Sequence, residues 1–173
     1  MLKPFNLNHW IEENRHLLKP PVGNKQIFIG NKDFIVMVVG GPNARKDFHY
    51  NKGEELFYQV EGTIVLKIIN DEGKIEDIEI KEGEMFLLPP CVPHSPQRGA
   101  NTIGLVIERY RSEEELDGFM WYCESCNNKL FEEFVMVKDI VNQLPIIMNK
   151  FYQSKELCTC SVCGTVMEAP IKK

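Results

Sequence analysis

ELFYQVEGTIVLKIINDEGKIEDIEIKEGEMFLLPP, residues 55–90, decides the fold class. It holds four short runs rich in β-branched and aromatic residues: ELFYQV, TIVLKII, IEDIEI and EMFLL. Each break between or after them is turn chemistry, namely Gly62, Asp71-Glu72-Gly73, Glu82-Gly83 and Pro89-Pro90. Runs of strand length at this spacing belong to an antiparallel sandwich or barrel. The pattern continues outward on both sides. QIFI (26–29) and DFIVMVV (33–39) are separated by Gly30-Asn31-Lys32 and followed by Gly40-Gly41-Pro42, and TIGLVIE occupies 102–108. The expected fold is mainly β, an antiparallel β-barrel with short helices.

Beyond this block the pattern changes at both ends. Residues 6 to 18 are expected to form an amphipathic helix, with Asn8 as N-cap, Glu12 and Glu13 in the first turn, and Trp10, Ile11, Leu17 and Leu18 on one side. Lys19-Pro20-Pro21 then stops it. After Arg111, Ser112 is expected to cap an acidic turn ending at Gly118, and Phe131 to Gln143 has helix-compatible apolar spacing. The expected organisation is a barrel with its N-terminal helix over 1–111 and a C-terminal extension over 112–173 folded around cysteines.

A chain of 173 residues with 43% hydrophobic content supports one substantial core. Twenty basic against twenty-five acidic residues, without a basic run, argue against a nucleic-acid partner. The first residues lack an apolar stretch of signal-peptide length, and no run of about 18 apolar residues follows, so the expectation is a soluble cytoplasmic protein without a membrane partner. Five of six cysteines lie between 123 and 163, which suggests a metal cluster in a reducing compartment more than a spread disulfide framework.

His49, Glu55 and His94 carry the functional reading. Two imidazoles and one carboxylate can hold iron(II) on one face and leave open positions for substrate and oxygen. His49 is placed at the end of a Gly/Pro-containing loop, Glu55 at a strand start, and His94 in the loop after Pro89-Pro90, all at strand mouths where a barrel keeps its pocket. Glu54 competes with Glu55, although neighbours on a strand point to opposite faces. A single histidine is more often an ordinary loop residue than a ligand; the combination is what argues for a site. Arg45, Asp47, Arg98 and Glu108 lie around it, and a carboxylate ending the apolar run TIGLVIE needs a cation or a polar ligand.

Cys123-Glu-Ser-Cys126 and Cys160-Ser-Val-Cys163 are two Cys-x-x-Cys pairs able to give four thiolates to one tetrahedral ion. Cys158 offers an alternative ligand. Cys91, three residues before His94, is read as a small buried filler in a Pro-rich turn rather than as a pocket residue.

These motifs resemble the cupin superfamily. Its first motif is Gly, five residues, His-x-His, three or four residues, Glu, six residues, Gly; here His49-Tyr50-Asn51, Glu55 and Gly62 follow it, with Asn51 in place of the second histidine. Gly83, Pro89 and His94 match the second, with Cys91 replacing a glycine and Arg98 an asparagine. More narrowly, NLNHWIEENR, ARKDFHYNKGEELFYQVEG, LLPPCVPHSPQR, TIGLVIERYR and LDGFMWYCESC resemble the 3-hydroxyanthranilate 3,4-dioxygenase family across nearly the whole chain.

The resemblance implies a cupin-type double-stranded β-helix and Fe(2+) on His49, Glu55 and His94. It implies 3-hydroxyanthranilate and O2 as substrates, with Glu55, Arg98 and Glu108 binding the former and Arg45 beside the oxygen. Arg45 and Glu55 would then serve catalysis. It further implies a rubredoxin-type iron, or zinc, on Cys123, Cys126, Cys160 and Cys163, and a homodimer. Another cupin dioxygenase or isomerase, or a non-catalytic cupin sensor, are the alternatives.

Overall fold

The structure, a computed structural model, describes residues 3–20, 23–137 and 140–170. Its two sheets are antiparallel throughout. The first has the order β1 (Asn24–Gln26), β2 (Phe34–Gly40), β9 (Ile103–Arg109), β4 (Glu55–Glu61), β7 (Met85–Leu88). The second runs β11 (Lys129–Val135), β10 (Asp117–Tyr122), β3 (Phe48–Tyr50), β8 (His94–Arg98), β5 (Ile64–Ile69), β6 (Ile75–Ile80). Phe57, Leu88 and Val106 of one sheet pack with Ile64, Leu66 and Ile80 of the other, so the core lies between them. Burial alternates along β4 as a two-residue repeat requires, with Glu55, Phe57 and Gln59 inward. Gly62 ends that strand at φ 68°, a left-handed backbone that favours glycine in the turn.

Helix α1 spans Leu7–Asn14 and presses Ile11 on Val38, closing the outer face of β2. Its cap is Asn6, which accepts from the His9 amide at 2.9 Å, and not Asn8, because Asn6 keeps the extended backbone of a cap. The helix has no acid in its first turn; Glu12 instead pairs with Arg15 at 2.6 Å. Pro21 of the expected stop lies outside the described residues.

Three further expectations are corrected. Residues 131–143 are not one helix: Lys129–Val135 is strand β11, paired along β10, and the helix α2 is Ile140–Tyr152; Lys138 and Asp139 lie outside the described residues. Phe131 and Val135 satisfy helical spacing, but cross-strand pairing to a fully buried neighbour decides their state. The turn after Arg111 closes at Glu115, whose carboxylate accepts from the Ser112 amide at 2.7 Å, and Gly118 lies inside β10. His49 and His94 are strand residues rather than loop residues, as is Arg98 at the end of β8.

α2 turns Ile147 and Phe151 onto Trp121 and Phe119 of β10. Trp121 is fully buried, and its Nε1–H donates to the Tyr152 hydroxyl at 3.1 Å. The short helix α3 (Lys155–Cys158) follows, capped by Ser154. No helix among the described residues is long and apolar enough to cross a membrane.

Candidate metal centres

Inward-facing residues of β4 and β9 form three rungs: Glu55 opposite Glu108, Phe57 opposite Val106, and Gln59 opposite Gly104. On the other sheet, His94, Pro96 and Arg98 pair with Ile68, Leu66 and Ile64. His49 pairs with His94 in the only register contact between β3 and β8. One end of the barrel thus gathers His49, Glu55 and His94, all buried, with ligand atoms within 4.8 Å of one another.

The ring nitrogens can be assigned from their partners. His94 Nδ1 lies 3.0 Å from the Val92 carbonyl, a pure acceptor, so Nδ1 carries the hydrogen and Nε2 faces Glu55 Oε2 at 3.2 Å. His49 is reversed: Nε2 lies 2.7 Å from Asp117 Oδ2, and Nδ1 faces Glu55 Oε1 at 3.5 Å. The two remaining nitrogens converge with the carboxylate on one point. Burial would keep His49 neutral, but the hydrogen bonds it donates to the Asp117 and Glu55 carboxylates outweigh it and push its pKa up to about 9. Burial would likewise raise Glu55, yet the two histidines hold it well below the usual carboxylate range. Asn51, where the cupin motif has a histidine, donates to Glu55 Oε1 at 2.5 Å and so fixes the ligand instead of adding one. This donor set fits a divalent transition metal with open positions.

Glu108 sits beside this cluster. Burial and the neighbouring Glu55 push it upward, while Arg111, 2.7 Å away, opposes that. Arg98 stands two rungs deeper. Its Nη1 reaches Gln59 Oε1 at 3.4 Å, its Nε has no partner, and burial with the nearby Arg45 lowers it to about 10. Gly104 makes this possible, since a Cβ there would meet Gln59 Oε1 at 2.8 Å and Arg98 Nη1 at 3.1 Å. Between Arg98 and the metal end lie Phe57, Val106 and Leu66, an apolar wall suited to an aromatic ring. Arg45 pairs with the fully buried Asp47.

Asp117 and Arg111 were not singled out from sequence. Asp117-Gly118 reads as turn chemistry, and only the pairing of β10 with β3 brings Asp117 to His49. Cys91 is exposed at φ 65°, not a buried filler; it stands where the cupin motif has glycine, and a left-handed backbone is the reason for that glycine.

The second centre lies past β10. Cys123, Cys126, Cys160 and Cys163 converge, with Sγ–Sγ separations of 3.5 Å for Cys123–Cys163 and Cys126–Cys160. Metal–sulfur bonds of about 2.3 Å in a tetrahedron set edges of about 3.8 Å, so the four thiols fit one ion in a closed shell. The two knuckles share a design. Asn127 N donates to Cys123 O and Gly164 N to Cys160 O, each at 2.9 Å, and both residues are left-handed. Cys158 is not part of the cluster: its thiol donates to the Phe151 carbonyl at 3.2 Å within the aromatic core.

Fold and site together define a class, a cupin-type β-barrel with two histidines and a carboxylate placed where they could hold a metal. The profile described as 3-hydroxyanthranilic acid dioxygenase matches residues 1–152, and the chain belongs to that family. Among its relatives, a 3-hydroxyanthranilate 3,4-dioxygenase of Xanthomonas euvesicatoria pv. vesicatoria (strain 85-10) is 56% identical over 170 residues, covering 98% of this chain and 95% of the relative. The enzyme of that name from Bacillus cereus (strain 03BB102) is 46% identical over 172 residues, covering 99% and 96%. A cupin-2 domain containing protein from Shewanella frigidimarina gives a TM-score of 0.48 at 22% identity, covering 61% of this chain and 94% of that one.

Proposed function

We propose that this chain catalyses ring opening of 3-hydroxyanthranilate by O2, with both oxygen atoms entering 2-amino-3-carboxymuconate semialdehyde, the precursor of quinolinate. The observation that carries the reading is the buried Arg98 guanidinium, whose Nε has no partner, at the far end of an apolar wall from a two-histidine, one-carboxylate cluster. A buried cation without a counterion is costly, and a planar carboxylate satisfies it with charge-assisted bonds. The substrate's hydroxyl and amino groups face the other way, toward His49, Glu55 and His94.

His49, Glu55 and His94 would hold a ferrous ion, which would supply open positions for an electron-rich o-aminophenol and O2. The protein's own contribution is placement. Arg98 orients the carboxylate end; Glu108, beside Glu55 and held by Arg111, bounds the hydroxyl and amino end; Phe57 and Val106 exclude water from the ring. Arg45, paired with the buried Asp47, is the residue we assign to the oxygen position. For the four-cysteine centre we propose a structural iron or zinc, since a closed thiolate shell leaves no site for substrate. We place the enzyme in the cytoplasm as a homodimer, which sedimentation tests.

Iron-reconstituted protein given 3-hydroxyanthranilate and O2 is expected to develop the absorbance of the ring-opened semialdehyde. Arg98→Ala should weaken anaerobic binding of 3-hydroxyanthranilate by about 2–5 kcal/mol while barely affecting 2-aminophenol, which lacks the carboxylate. Equal loss for both ligands in an iron-loaded variant would remove Arg98 as the anchor.

A further inference from the structure

β10 presents a carboxylate and a ring to the same histidine. Asp117 is 1% exposed and lies 2.7 Å from His49 Nε2, while Phe119 stacks on the imidazole at 5.4 Å with 22° between the planes. Asp117 also accepts from Arg111: Nε lies 3.1 Å from each oxygen, and Nη2 lies 2.8 Å from Oδ2. A carboxylate already accepting from a guanidinium is ionised and has no hydrogen to give. Asp117 therefore accepts the Nε2–H of His49, and with Nε2 so engaged Nδ1 is the nitrogen turned toward Glu55 and the metal position, able to bind an ion once its own proton is displaced.

The same guanidinium has a second partner. Arg111 Nη1 lies 2.7 Å from Glu108 Oε2, so one planar fork joins the carboxylate behind His49 to the carboxylate beside Glu55. We propose that Asp117 is a positioning residue that holds His49 in its metal-binding orientation, and that Arg111 clamps it to Glu108, so that one guanidinium sets the hold on both the metal and the substrate. The substrate half rests on the function proposed above; the metal half does not. Arg suits the task because its edge and its remaining nitrogen reach two carboxylates at once, which an ammonium on a flexible stem does poorly.

Mn(II) reads the histidine–carboxylate centre by itself, since a hard ion avoids thiolates. It is titrated, with EPR detection, into protein whose four-cysteine centre carries zinc. Asp117→Ala is expected to raise the Mn(II) Kd about 10- to 100-fold, and Asp117→Asn by a smaller factor, because an amide accepts the Nε2–H without the negative charge. Arg111→Met should raise the Mn(II) Kd and also weaken anaerobic 3-hydroxyanthranilate binding to the Mn(II)-saturated protein, and Arg111→Lys should restore at most one of the two.

An unchanged Mn(II) Kd in folded Asp117→Ala overturns the positioning role. Should that variant not fold, the isosteric Asp117→Asn decides, and an unchanged Kd there overturns it equally. Full substrate affinity in Mn(II)-saturated Arg111→Met overturns the clamp. If the unaltered protein binds Mn(II) with the expected dependence on Asp117 but does not bind 3-hydroxyanthranilate, the positioning of His49 stands and the substrate reading falls.

Discussion

Cys91 occupies a left-handed backbone at φ 65° in the turn that delivers His94 to β8. An L-residue there costs about 1–2 kcal/mol that glycine avoids, offset partly by glycine's larger entropy loss on folding. Cys91→Gly is therefore expected to stabilise the protein by about 1 kcal/mol without changing metal content, checked by the thermal midpoint and metal analysis. The single-residue scale is also where the sequence was most legible. His49, Glu55 and His94 stand at motif spacings, and the structure gathers them. Asp117 was not legible, because nothing in Leu116-Asp117-Gly118 tells a turn from the start of a strand, and its partner stands 68 residues away. Asn127 escaped notice for a different reason: it takes the left-handed position that glycine fills in the second knuckle.

At the scale of elements, the segment joining β9 to β10 has to aim Asp117. Arg109 and Glu115 close it, with Nη1 to Oε2 at 2.7 Å and a second bond alongside. The Arg109 pair, helped by the Ser112 amide, pulls Glu115 from an ordinary 4.5 to about 2. A depressed acid contributes stability that is fully present above the unfolded value and is lost as pH falls through the folded one. The thermal midpoint of the native protein should therefore fall more steeply between pH 4.5 and 2 than that of Glu115→Gln. Parallel curves would show that the pair contributes nothing, as is common for ion pairs with solvent access. Strands β2, β4, β5, β6, β7 and β9 were legible because each is a β-branched or aromatic run between turn residues. β3, β8 and β11 were not. β3 is only three residues long, β8 is made of polar residues and a proline, and β11 mimics helical spacing.

Across the whole molecule, the two centres draw on separate side chains but share β10, whose buried strand ends at Tyr122, one residue before Cys123. His49→Ala is expected to lose the metal of the histidine–carboxylate centre and keep the one on the cysteines. Cys126→Ser should do the converse, lowering the thermal midpoint and red-shifting the fluorescence of Trp121, which is fully buried in the aromatic core beside the knuckles. Metal counts per chain and emission spectra check both; joint loss of both metals in His49→Ala would contradict separate sites. Composition suggested a barrel over 1–111 and a cysteine-bearing extension over 112–173; it did not suggest that β10 of the second segment pairs into the sheet beside β3, since sheet order is a long-range property. That shared strand also orders events in time. β3 has one register pair with β8 and three with β10, so the segment bearing His49 gains most of its pairing only from residues made long after it. Contacts between distant parts of a chain form slowly, and a growing chain presents them last. On the ribosome, the ability to capture a metal at the histidine–carboxylate centre should arrive late and in one step, when β10 has emerged and paired with β3.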